Sequence, residues 1–118
     1  MQPISYIAST KLNICAILSL LKRHDKAIIF AQSAISDLSI MLKILKIREI
    51  KDATLRRQEM ARTGIKDVDL KIPESNEASL KQTLAIAHYN LAVEYEHSQM
   101  HEKAMGAYKN SLNYASIS

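Results

Sequence analysis

Apolar residues recur along this chain at steps of three and four, the period of one face of an α-helix. Between residues 4 and 21, Ile7, Ile14, Ile17, Leu18 and Leu21 define one such face and predict a first helix. The polar string KRHD marks a turn. A second helix then starts at His24 or Asp25, with Asp25 placed against the positive end of the helix dipole. In that helix Ala27, Ala31, Ala34, Leu38, Met41 and Leu45 follow a 4-3-4-3-4 spacing, a single seam for one neighbour. Its small residues come first, so a partner backbone approaches closely beside the alanines and stands further off beside Leu38 to Leu45.

No Gly or Pro lies between Ile4 and Thr63, and Gly64 stands where a left-handed C-terminal cap is expected. The spacing therefore predicts unbroken helix from Asp25 past Lys51, the longest element of the fold. The string KDAT at residues 51–54 interrupts the apolar pattern and is the alternative break. A second apolar row, Ile40, Ile44, Ile47 and Ile50, lies beside the seam, so two sides of the extension need cover. Leu80 and Leu84 can cover one of them, and the other is expected to pack against a second protein or a second copy.

Residues 63–76 read as a linker, in which IKDVDLKI alternates well enough to allow a short extended segment and Ser75 and Asn76 are capping candidates. A third helix over residues 77–97 carries Leu80, Leu84, Ala87, Leu91, Ala92 and Tyr95 on one face. After the polar turn SQM, a fourth over residues 101–114 turns Ala104, Ala107, Tyr108, Ser111, Leu112 and Ala115 inward. The expected fold is all-α: a hairpin with an extended second helix (4–62), the linker, and a second hairpin (77–118).

Composition changes this picture little and charge changes it more. Apolar residues make up 47% and charged residues 24%, ordinary for a chain that buries a core. The apolar stretch at residues 12–21 contains Asn13 and runs into KRHDK with no small-residue cleavage site, so neither a signal peptide nor a membrane span is expected. Lys43, Lys46, Arg48, Lys51, Arg56, Arg57 and Arg62 face only Glu49, Asp52 and Glu59, an excess of four that equals the net charge of the whole chain, +4. These residues are expected to form a basic rim around the isoleucine row. Their alternative use is to bind an acidic polymer: nucleic acid, an anionic membrane or a tubulin surface. No aromatic residue in residues 43–62 is there to stack on bases, which argues against nucleic acid.

Nothing in the chain points to catalysis, a metal or a cofactor. The single cysteine, Cys15, excludes an internal disulfide and a cysteine zinc cluster and suits a buried structural thiol in a reducing compartment. His97 and His101 are four apart, but the spacing crosses a turn. Glu94 and Glu96 are two apart on a helix and point away from each other.

The string HDKA at residues 24–27 returns as HEKA at residues 101–104, and a shift of 77 also aligns Ala8 with Ala85, Asn13 with Asn90, Ile14 with Leu91, Cys15 with Ala92 and Leu18 with Tyr95. These positions resemble the tetratricopeptide repeat, a helix-turn-helix of 34 residues. With Ala8 and Ala85 as the first position, the family's large-small pair falls on Ile14-Cys15 and Leu91-Ala92. Its conserved alanine falls on Ala27 and Ala104, and its next small position on Ala34 and Ser111. The fourth position, usually aromatic, holds Lys11 and His88. The resemblance implies two hairpins separated by an insertion, in a non-enzymatic, intracellular scaffold or adaptor that holds a peptide or a partner's helix. Cytoskeletal and ciliary assemblies are among the settings of such proteins. The groove residues it implies are Lys11, Asn13, Asn90 and Glu94. Two repeats are fewer than the three or so that stand alone, so a homo-oligomer, or a subunit or fragment of a larger assembly, is expected.

Overall fold

The computed structural model describes residues 4–71 and 76–115. Five helices follow in order: α1 (Ile4–Leu20), α2 (His24–Arg48), α3 (Ala53–Thr63), α4 (Glu77–His97) and α5 (His101–Ala115), with a short 3-10 turn at Asp69–Lys71 before α4. The fold is all-α, with no strand among the described residues. α1 and α2 form one antiparallel hairpin, α4 and α5 a second, and α2 lies against α4 to join them, with α1 also touching α4.

The two turns are the same structure. α1 ends with Lys22 in the left-handed region (φ 61°) and α4 with Gln99 (φ 62°), at the 77-residue offset. In each, the left-handed residue donates to the carbonyl three back (Lys22 to Ser19, Gln99 to Glu96). The next residue donates to the carbonyl five back (Arg23 to Leu18, Met100 to Tyr95). This paired bonding is the Schellman cap, which satisfies carbonyls the helix leaves open. Neither capping residue is glycine, so each side chain bears the steric cost of a left-handed backbone. Lys22→Gly is expected to stabilise the fold by about 0.5–1 kcal/mol, raising the melting temperature by a few degrees. An unchanged or lower melting temperature would show that the turn carries no such strain.

The core divides as the seam on α2 does. Beside the turns, Ala27 and Ala31 meet Cys15, Leu91, Ala92 and Ala107. Toward the open ends, Ala34, Leu38, Met41, Ile44, Leu45 and Ile47 meet Ala8, Leu12, Leu80, Leu84 and Ala87. Small side chains at the first level let the hairpins close tightly, and branched and unbranched bulky ones fill the wider second level. Within the second hairpin Ala104 is buried and Ser111 donates to the Ala85 carbonyl (2.6 Å).

Four expectations need correction. The buried face of α1 is Ala8, Leu12 and Cys15, whereas Ile7, Ile17 and Leu21 are 40%, 56% and 63% exposed. α1 is apolar nearly all round, and only its small side lets it approach the alanines of α2. Helix does not continue past Lys51: α2 ends at Arg48, and Asp52 caps α3 by accepting from the amides of Thr54 (2.9 Å) and Leu55 (3.0 Å). The Arg56 guanidinium closes the corner by donating to the Ile50 carbonyl (2.6 Å). That side-chain cap competes with helix propagation without any Gly or Pro. In the linker, Asp69 accepts from the Lys66 amide and a 3-10 turn forms at Asp69–Lys71 in place of an extended segment. Asn76 caps α4, while Ser75 lies outside the described residues. In α5, Leu112 (69%) and Ala115 are exposed and not inward.

Among the described residues α2 is long and apolar enough, by length and composition, to cross a membrane. The same composition is what a central helix with a buried seam on one side requires.

Candidate functional site

The expected groove residues do not form one surface. Lys11 is tied to α2, donating to Ser33 Oγ (2.8 Å) and pairing with Asp37 (2.6 Å). Glu94 is only 3% exposed and lies between the hairpins. Asn13 is exposed and Asn90 half-buried. The Lys11–Asp37 tie has its counterpart at the 77-residue offset in the stack of His88 on Tyr114, with ring centroids 5.5 Å apart. The position is kept while its chemistry changes from an ion pair to a ring stack.

Glu94 belongs to a polar lock beside the turns. Its Oε2 accepts from Ser19 Oγ (2.8 Å) and its Oε1 from His24 Nδ1 (2.6 Å), so α1, α2 and α4 meet on one carboxylate. The His24 ring stacks on His97 with centroids 4.4 Å apart and planes 9° apart. Buried carboxylates need such partners. Glu94 extends the 4-3-4-3 spacing of Leu80, Leu84, Ala87 and Leu91, so a carboxylate on an apolar seam was the available sequence signal. Burial, and then the nearby Glu94 charge, push the Cys15 thiol up to about 11. It stays protonated and a weak nucleophile at neutral pH.

The isoleucine row is covered by the chain itself. Ile44 (1%) and Ile47 (3%) are interior, in a cluster sealed by Ile65, Met60, Leu70 and Tyr114. Ile50 is half-buried, and only Ile40 is exposed (43%). The break at residues 49–52 is what lets α3 and the following loop return over that row, replacing the external cover expected from the sequence.

The basic residues separate by task. Arg48 donates to the Leu70 carbonyl (2.8 Å) and Arg56 to that of Ile50, so both are half-buried structural ties. Lys46 pairs with Glu77 (3.2 Å) and Arg62 with Glu59 (2.6 Å). Hydrogen bonds from Lys81 and Lys46 hold the Glu77 carboxyl below the ordinary carboxylate range, as Arg62 does for Glu59. Lys43, Lys51 and Arg57 are exposed, with no ion-pair partner among the described residues.

Three of these cations, Lys43, Lys46 and Arg62, edge a groove of about 460 Å³ between α2, α3 and the end of α5. Leu42, Ile47 and Ile50 form its floor, Tyr114 closes one end, and Glu59 is its one lining carboxylate. An apolar floor under convergent charge is the general form of a recognition site.

His88 sets a pH dependence near that end. Burial lowers its pKa from the ordinary 6.5, and its Nδ1 has no hydrogen-bond partner among the described residues. The sign follows from linkage. Above 6.5 both states are neutral and the stability is present. As pH falls below 6.5 the unfolded chain takes the proton first, and stability is lost until the depressed native value is passed. The stability of His88→Phe relative to wild type is therefore expected to rise between pH 7.5 and 5, read from urea midpoints; a constant difference would remove His88 as the source.

Among the described residues no group of three or more His, Cys, Asp or Glu side chains is placed to hold a metal ion. Comparison with protein families, with curated proteins and with solved structures finds no match to this chain.

Proposed function

We propose that this chain is a non-enzymatic protein-interaction scaffold of tetratricopeptide type, which holds an acidic amphipathic segment of a partner in the groove between α2, α3 and α5. Support for the repeat reading comes from the two turns with matching Schellman bonding at the 77-residue offset. Support also comes from the small residues Cys15, Ala27, Ala92 and Ala104 at the helix contacts. The observation that carries the binding reading is the groove itself: Lys43, with no ion-pair partner among the described residues, beside Lys46 and Arg62, which pair at the rim with Glu77 and Glu59, above a floor of Leu42, Ile47 and Ile50. A helix or strand with apolar side chains on one face and carboxylates beside them satisfies both parts at once.

The polyanion alternative asks the basic stretch to track phosphates. Arg48 and Arg56 are engaged with carbonyls, which favours the groove reading over it.

The test is a synthetic amphipathic peptide with leucines along one face and glutamates along the other, titrated by fluorescence anisotropy. Lys43→Glu combined with Arg62→Glu is expected to weaken binding by about tenfold or more, while Asn13→Ala leaves it unchanged. Equal affinity of the charge-reversed variant and wild type would count against the groove.

A further inference from the structure

The two hairpins meet through an interface of which each also carries an unmatched copy. On the first hairpin, Leu12 shares a core cluster with Leu80, Leu84 and Ala87, and Ile28 and Ile35 lie on the cluster containing Leu91 and Ala92. At the 77-residue offset these three correspond to Tyr89, Met105 and Leu112 on α4 and α5, which are 54%, 73% and 69% exposed. In the other direction, Leu84, Ala87 and Leu91, buried where α4 enters the interface, correspond to Ile7, Thr10 and Ile14 on α1. Ile7 is 40% exposed, and Ile17, the counterpart of Glu94, is 56% exposed. The outer side of α1 thus repeats the docking side of α4, and the outer side of α4–α5 repeats the receiving side of α1–α2.

We propose that the chain associates head to tail with a second copy, the outer face of α1 in one copy docking on the α4–α5 face of the next. The occupant follows from the internal interface: both halves of a contact that already exists within the chain are displayed, unpaired, on its two outer sides. A different protein would need to match only one of them. The contact is heterologous, because two different faces meet, so it leaves a free face at each end and does not close after two copies. The polar lock does not recur, since Ser19, His24 and Glu94 correspond to Glu96, His101 and Ile17. The contact between copies is therefore apolar, weaker than the internal one, and driven by concentration more than by charge.

The test is sedimentation velocity on the full chain and two variants at exposed positions, Ile7→Glu, at the counterpart of buried Leu84, and Leu112→Glu, with circular dichroism confirming that each is folded. Wild type is expected to rise from a 13.3 kDa monomer to a severalfold larger average mass as concentration goes from about 10 µM to about 1 mM. Each variant alone, with one face blocked, is expected to remain monomeric. A mixture of the two has one intact α1 face and one intact α4–α5 face, and is expected to form a dimer and stop there. A wild type that stays monomeric throughout would overturn the proposal. So would a mixture that stays monomeric, or a single variant that still dimerises, since the latter would mean like faces pair with like.

Discussion

Ile44→Glu is expected to unfold the protein. Ile44 is 1% exposed and sits where α2 passes beneath α3 and the following loop, among Met41, Ile47, Ile65 and Leu80. The substitution removes a buried aliphatic side chain, worth about 1.5–3 kcal/mol. It also places an unpaired carboxylate out of reach of water, and the combined cost is about 4 kcal/mol or more, a large part of the roughly 5–15 kcal/mol that holds a domain together. Ile40→Glu, on the same row but 43% exposed, is expected to stay within about 1 kcal/mol of wild type. Helical circular dichroism with an unchanged urea midpoint in Ile44→Glu would mean that the row is not covered from within.

Glu94→Ala carries the next largest expected effect. It deletes the acceptor of both Ser19 Oγ and His24 Nδ1 and leaves a void where three helices meet. The combined cost is about 2–4 kcal/mol. Glu94→Gln keeps the volume and one carbonyl acceptor, and its amide can donate to the His24 ring in its other tautomer. It is therefore expected to recover most of that loss. Urea midpoints for the pair decide the point: equal, small losses in both variants would show the lock to be incidental to stability.

What the sequence disclosed and what it withheld follow from which contacts are local. The α2 seam is legible because Ala27 through Leu45 share one helix and one period, and the same holds for Leu80 through Ala92 on α4. The side of α1 that turns inward is not legible from periodicity, because Ile7, Ile14 and Ile17 form as good a row as Ala8, Leu12 and Cys15. Residue size decides between them, and the alignment of Ala8 with Ala85 and Cys15 with Ala92 holds that information. The end of α2 is legible only as the alternative break at KDAT, because Asp52 capping the next helix and Arg56 folding back to Ile50 are weaker signals than a Gly or Pro. The cover over Ile44 and Ile47 comes from Ile65 and Leu70, distant in sequence and placed only by the break. Glu94, read from the repeat as a groove residue, is withdrawn into the interface by Ser19 and His24, 75 and 70 positions away.

The binding proposal places a partner segment in the groove between α2, α3 and α5. It is tested most directly by an NMR titration of the isotopically labelled chain with the leucine–glutamate peptide. The largest amide shift changes are expected on Ser39, Leu42, Lys43, Lys46, Arg62 and Tyr114, which line the groove. Shift changes centred instead on Asn13 and Asn90, with the groove residues unmoved at saturation, would contradict it.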